Sequence, residues 1–263
     1  MSDGANNGQQ LIPRPVDSAI AAEWRSFFAS GRTFALPAAI EINSRKRRSN
    51  GVFLTVLGLL AAASACTGIA LLVTASGRAL TYVLLVVVLV LTVIAGARIL
   101  GIRRALNAVR DAPEEYLAVS RDGIRYAGVD FPWTSVVGGL VIDERHVHYS
   151  GVKRLTAKVM RAAGHSRVEL LLGVQAGTVR EYRAKAPGAV QRTFFVSMGS
   201  GGPRVPLQYA IDADSIDPFA TAVRVSAADA DVPIIVSTDP AVMHPTIMSI
   251  WRGQRPGEGK DTV

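Results

Sequence analysis

Apolar and polar positions along this chain follow three different rhythms. From Val52 to Thr74 the residues read VFLTVLGLLAAASACTGIALLVT, and from Ala79 to Ala97 they read ALTYVLLVVVLVLTVIAGA, with Ile99 and Leu100 continuing the second run. No charged residue lies between Arg48 and Arg78. Neither run keeps the polar face that a helix of a soluble protein presents to water. At about 1.5 Å per residue the first run spans roughly 35 Å, enough for a hydrocarbon core of about 30 Å. The pattern predicts two transmembrane helices, about 52–74 and 79–100, within a membrane unit of residues 51–102. Ser76, Gly77 and Arg78 between them make the pair a tight antiparallel hairpin with both flanks on one side. Gly58, Ala62 and Ala65 on the first helix, and Ala95, Gly96 and Ala97 on the second, are candidate packing faces, because small residues let backbones approach.

Outside the hairpin the rhythm shortens. Residues 1–50 form an N-terminal arm whose first 15 residues are polar and read as unfolded. Asp17 and Ser18 can cap a short amphipathic helix over 17–29, with Ile20, Trp24, Phe27 and Phe28 on one side. That face has two uses, lying on the inner leaflet or docking on the domain that follows. Phe34, Leu36, Ile40 and Ile42 alternate as in an extended stretch, with Pro37 limiting it to an edge strand. Past Arg110, where Pro113 marks the helix exit, short β-rich segments take over. Strands are expected at Tyr116–Ser120, Ile124–Ala127, Phe131–Val137, Leu140–Ile142, His146–Tyr149, Val168–Leu172, Thr193–Ser197 and Val205–Ile211. Gly199–Pro203 suits a hairpin loop, Asp214 or Ser215 opens a helix, and Val232–Val236 is β-like. Residues 111–237 are thus a mainly-β domain, and 238–263 an extension in which 253–263 reads as a free tail.

The chain's 263 residues carry 29 Lys and Arg against 21 Asp and Glu, a formal charge of +8. The surplus is local. Residues 1–110 hold 12 basic and 4 acidic residues, and residues 111–263 hold 17 of each. Arg45, Lys46, Arg47 and Arg48 precede the hairpin, and Arg98, Arg103, Arg104 and Arg110 follow it, against Arg78 alone in the loop. The positive-inside rule then places both termini in the cytoplasm, in a multi-pass protein of the cell membrane. The first apolar run begins too late for a signal peptide. With the charge explained by membrane orientation and no aromatic–basic interleaving, nucleic acid is not expected as a partner. Neither span holds an Asp, Glu, Lys or His, which speaks against a transporter or channel. The single cysteine, Cys66, sits mid-span and reads as a packing residue.

The stretch Asp122-Gly123-Ile124-Arg125-Tyr126, a short turn, then Pro132-Trp133-Thr134-Ser135-Val136 resembles the signature of the bacterial pleckstrin-homology-like (PH-like) domains. Glu41-Ile42-Asn43-Ser44-Arg45-Lys46 is similar to the lead-in of members that carry two membrane helices. The resemblance extends over about 41–226, with a specific core of some fifteen residues. It implies a bent antiparallel sheet closed by a C-terminal helix, with Tyr126 and Trp133 in the core. It also implies a binding or scaffolding role without catalytic residues. Two stretches depart from the pattern: 152–163, which reads as a helix, and 173–192, long and loop-like.

Candidate chemistry is sparse. On a strand, Glu144, His146 and His148 would share one face, and His-x-His can bind zinc, with His165 the one other histidine in the barrel region. Solvated hairpin residues explain the run equally well, so no metal is assigned, and a membrane-bound metal-dependent enzyme stays the minor alternative. No Gly-x-Ser-x-Gly elbow or phosphate loop is present. Glu114 and Glu115 read as solvated. No cofactor is expected. The helix 152–163 sets Val152, Leu155, Val159, Met160 and Ala163 on one side and Lys153, Arg154, Lys158 and Arg161 mostly on the other. Such an element either packs its stripe on the sheet or reads anionic lipid headgroups. The lipid bilayer is the partner expected for the hairpin in either case; another membrane protein is the further candidate.

Overall fold

Asp17 opens the first helix as its N-cap, its carboxylate accepting from the Ala19 (2.9 Å) and Ile20 (3.4 Å) amides of α1, Ser18–Ala29. The computed structural model describes residues 16–74, 79–110, 114–162, 166–197 and 199–257; residues 1–15, Ser76, Gly77, Arg78, Pro113, Ala163, His165 and 258–263 lie outside them. Gly31, at φ +75°, turns the chain into strand β1, Phe34–Leu36. Trp24 meets Phe27, Phe28 and Phe34 in a ring cluster with centroids 5.0–5.7 Å apart. Phe28 is buried, and Trp24 and Phe27 pack on the core of the β-rich domain. Of the two uses open to this face, it takes the second.

β1 is shorter than the alternation suggested. Pro37 cannot extend the ladder, and Ile40 and Ile42 are already helical. Helix α2 runs Ile40–Val73 and helix α3 Ala79–Arg110. Both extend beyond the apolar runs because Lys and Arg are good helix formers, so apolarity marks the membrane-length part rather than the helix end. By length and composition, Ile40–Leu71 is long and apolar enough to cross a membrane; the apolar part of α3, Thr81–Ala97, is shorter. The helices lie antiparallel, Gly51 facing Arg103 and Gly68 facing Leu85. Asn50, fully buried, donates its Nδ2 to the Ile99 carbonyl across the pair (3.3 Å). On α3 the expected small residues Ala95 and Gly96 are part-covered and Ala97 is exposed; on α2 the packing face differs from the expected one. Leu54, Leu57, Ala61, Ser64, Gly68 and Leu71 are part-covered, whereas Gly58, Ala62 and Ala65 are exposed. Steps of three and four make a heptad seam, and the pair packs along it.

The domain consists of helices and two sheets. In the first, β1 pairs with β2 (Leu117–Val119), β2 with β3 (Gly123–Tyr126) and β3 with β4 (Val129–Pro132), all antiparallel. Ala127 (φ 50°) and Gly128 (φ 84°) form the two-residue turn between β3 and β4, one position earlier than expected, as the twist of a tight hairpin demands. A 3-10 turn at Trp133–Ser135 leads into β5, Val136–Asp143. Helix α4, Gly151–Ala162, precedes β6, Val168–Val174. The stretch 173–192, expected as loop, contains α5, Val179–Lys185, and a 3-10 turn at Val190–Thr193. β7 (Phe194–Ser197) and β8 (Ser200–Val205) follow, then α6 (Leu207–Ala210), α7 (Ile216–Asp229), β9 (Ile234–Val236) and α8 (Pro240–Trp251). The second sheet has the order β7-β8-β6-β5-β9, and β9 joins it parallel to β5.

Four expectations fail here for identifiable reasons. Phe131–Val137 is not one strand, since the chain turns at Trp133–Ser135 between β4 and β5. His146–Tyr149 is not a strand, since the chain turns at Arg145 toward α4. Val205–Ile211 divides, with Leu207–Ala210 turning into α6. Gly201 to Pro203 lie within β8 rather than in a loop. Gly202 opposes the Leu172 carbonyl so closely that a Cβ would sit 1.9 Å from it, and Gly201 (φ +123°) opposes Phe195 O at 2.1 Å. These glycines admit neighbouring backbones.

The main core lies between the sheets and α7. Tyr116, Tyr126, Phe131, Leu170, Leu172 and Phe219 are all fully buried in it, and Trp133 is 3% exposed. Trp133 Nε1 donates to Ser226 Oγ (2.8 Å), and that hydroxyl donates to the Ser120 carbonyl (2.6 Å). The hairpin signature is thereby tied to α7. On the other face of the second sheet, α8 buries Ile250 against Leu140, Ile142, Leu171 and Ile235. Residues 253–257 are not a free tail either: Pro256 rests on Gly138, and Arg255 pairs with Asp231 at 2.9 Å.

Candidate functional site

The connection from β5 to α4 is pinned by charge. Arg145 bridges the Asp143 carboxylate (2.7 Å) and Asp217 of α7. The guanidinium of Arg167 donates to the carbonyls of Glu144 and Arg145, and the Glu144 amide donates back to Arg167 O at 2.7 Å. Burial raises the Asp143 carboxyl, but its bonds to Arg145 outweigh that and leave it below the usual carboxylate range. Arg145 in turn is held strongly in its charged form by Asp143 and Asp217. Without strand alternation, Glu144, His146 and His148 have no common face. His148 Nδ1 lies 3.0 Å from the His146 carbonyl, and burial and the Glu144 carboxylate raise the Tyr149 hydroxyl above its usual range. Among the described residues no three His, Cys, Asp or Glu side chains gather as a metal set.

Gly151, at φ +54°, reverses the chain into α4. Successive residues at 100° place Val152, Leu155 and Val159 within one third of the helix circumference, and Arg154, Lys158 and Arg161 on the opposite side. The apolar stripe does not pack on the sheet: Val152 is 81%, Leu155 64% and Val159 47% exposed. Arg154 and Lys158 are exposed, and half-buried Arg161 donates Nε to Ala157 O at 3.0 Å. The side chain of Lys153 lies outside the described residues.

The chain just before β6, a few residues past α4, sits beside α6: Arg167 donates its amide to Gln208 Oε1 at 2.8 Å. Burial and the nearby Glu169 push the hydroxyl of Tyr209, next in α6, up to about 12. Lys46 of α2 lies over the Tyr209 ring, Nζ 5.6 Å from its centroid. Ala39 donates its amide to Ala210 O at 2.8 Å, fastening the entry of α2 to α6. Buried Glu169 is paired by Arg204 across the sheet. Because Gly51 faces Arg103, the basic stretch Arg45–Arg48 is level with the basic end of α3. Arg45 and Arg48 are exposed, Lys46 and Arg47 half-buried, and Arg103 exposed; the side chains of Arg98 and Arg104 lie outside the described residues.

One feature carried no recognisable motif in the sequence. The outer face of the first sheet has an open groove of about 460 Å³ near Thr33, Ala118 and Pro132. Arg125 crosses its floor, bound to Asp130 (2.6 Å) and Glu115 (3.0 Å). Its parts come from residues 33 to 132, so no local spacing could have announced it. The chain matches no family model, no curated protein and no solved structure.

Proposed function

We propose that this chain is an integral protein of the cytoplasmic membrane, whose α2–α3 pair crosses the bilayer twice and holds a PH-like binding or scaffolding domain at the inner leaflet, without catalysis. The observation that carries the reading is the pairing of β1 with β2. Phe34–Leu36 precede the apolar pair, Leu117–Val119 follow it, and the two strands are hydrogen-bonded neighbours. Strands in one sheet are on one side of a bilayer, so the chain between them crosses an even number of times. Exposed apolar side chains all round the pair, including Leu59 (66%), Ile69 (62%) and Val93 (61%), suit lipid rather than water. The basic flanks favour the inner side.

The PH-like reading is supported by the β3–β4 hairpin delivering Trp133 into the core and by α7 closing the sheets. The parallel β9 and the helix α8 are additions to that plan. A core filled by large side chains leaves the outer surfaces and the membrane-proximal end for recognition. The test is accessibility in intact cells, using Cys66→Ser protein with one new cysteine. Ser76→Cys should react with an impermeant maleimide from outside, and Ser237→Cys only after permeabilisation. Reaction of Ser237→Cys from outside would overturn the orientation.

A further inference from the structure

We infer that α4 lies in the plane of the inner leaflet, its apolar stripe among the lipids and its basic side among anionic headgroups, as a third attachment of the domain. The inference rests on the membrane reading of α2 and α3 and adds to it a specific partner, an anionic bilayer surface. Three observations select that occupant.

The first is composition. α4 contains Lys153, Arg154, Lys158 and Arg161 and no acidic residue, while the rest of residues 111–263 holds 13 basic against 17 acidic residues. Among the described residues Arg154, Lys158 and Arg161 make no ion pair, unlike Arg125, Arg145 and Arg204. The second is the open stripe of Val152, Leu155 and Val159 on an otherwise well-filled domain. A strongly amphipathic helix with this division of faces is the form that lies at a lipid–water interface. The third is place. Arg167, five residues past the end of α4, donates its amide to Gln208 Oε1 of α6 at 2.8 Å, and Lys46 of α2 lies over the ring of neighbouring Tyr209, so the end of α4 is only a few residues of chain from the membrane helix. Lys46 precedes Val52, where the apolar run starts, by six residues, about 9 Å along the helix. The headgroup layer is about 5–7 Å thick on each side, so Lys46 stands at its outer edge with α4 within reach. A soluble partner protein would not require this position.

Attachment of this kind is graded by lipid charge and salt. Each Lys or Arg near an anionic surface strengthens it about fivefold. Removing three therefore weakens it on the order of a hundredfold.

The test uses the full chain in nanodiscs, in a Cys66→Ser background, with an environment-sensitive fluorophore on Leu155→Cys or, separately, on Leu59→Cys. The Leu59 probe should report lipid in every disc. The Leu155 probe should shift to the blue and escape a soluble quencher in discs with about 30% phosphatidylglycerol, and lose both signs in pure phosphatidylcholine at high salt, where the screening length is only about 3 Å. Changing Lys153, Arg154 and Lys158 to Gln should raise the phosphatidylglycerol requirement while leaving thermal unfolding unchanged. A Leu155 probe in water beside a Leu59 probe in lipid would overturn the inference and spare the anchor. A Leu59 probe in water would overturn the anchoring reading and the inference with it. Leu155 burial that grows with protein concentration in detergent would mean a second copy covers α4, and would also overturn it.

Discussion

The bond between Trp133 and Ser226 offers a quantitative check on how the hairpin signature holds the domain together. Ser226 Oγ accepts from the indole and donates to Ser120 O, so one hydroxyl joins the β2–β3 turn, the 3-10 turn and α7. Ser226→Ala strands a buried indole N–H, which costs about 1–3 kcal/mol, and also removes a donor from Ser120 O at about 0.5–1.5 kcal/mol. Trp133→Phe loses the same bond and part of a ring, about 2 kcal/mol on the scale at which full removal of Trp costs about 3–5. In the double variant no indole remains to be stranded. The combined loss should therefore fall short of the sum by about 1–2 kcal/mol. Urea titrations of the full chain in mild detergent, read by pulse proteolysis of the domain, measure all four corners of the cycle. Additivity within about 0.5 kcal/mol would refute the assignment, because groups that do not share the bond behave that way.

Gly202→Ala should abolish stable folding, because its Cβ meets Leu172 O at 1.9 Å between two paired strands, whereas Gly188→Ala, with nothing within 4 Å, should stay within about 0.5 kcal/mol of the parent in the same titration. Asp143 has a lower pKa folded than unfolded, so it contributes stability above the unfolded carboxylate value of about 4, and this is lost as pH falls through the folded value. Asp143→Asn should therefore lower the unfolding midpoint at pH 7 and flatten its fall below about pH 4; an unchanged acid slope would dismiss the role. Asn50→Leu removes the side-chain bond to Ile99 O and should loosen the helix pair by about 0.6–2 kcal/mol, seen as a lower melting midpoint in detergent; an unchanged midpoint would count against it.

Features with a local period were legible in the sequence. The helical apolar runs, the Trp133 hairpin, the cap at Asp17 and the amphipathic division of α4 all follow from spacing within a dozen residues. Partnership was not legible. Nothing near Phe34 says that it pairs with Val119, and α1 had two equally good places for its aromatic face. α8 hid for another reason: it is apolar with little sidedness and carries Pro245, so no stripe marks it as a helix docked on β5 and β6. The glycines of β8 looked like a loop because glycine more often turns a chain than admits a neighbouring strand. On α2 the set Gly58, Ala62 and Ala65 misled, and the 3–4 alternation from Leu54 to Leu71, which includes Ala61, Ser64 and Gly68, was the stronger guide. For α4 the sequence left open which way the stripe faces, and exposure answers that only with the sheet in place.

The adjacency of β1 and β2 also sets an order of events during synthesis. Leu36 and Leu117 are partners 81 residues apart, so the first strand emerges and then waits while both long helices are made. At roughly 5–20 residues per second that delay is about 4–16 s. During it, α1 and β1 have an aromatic face and an unpaired edge but no sheet to join. Completion of α3 returns the chain beside its own beginning, and the loop that would otherwise be closed by chance is already closed by the helix pair. Pairing of α2 with α3 is in this sense a folding step of the domain, and a chain stalled between the two helices would leave Trp24, Phe27 and Phe28 without the core on which they pack.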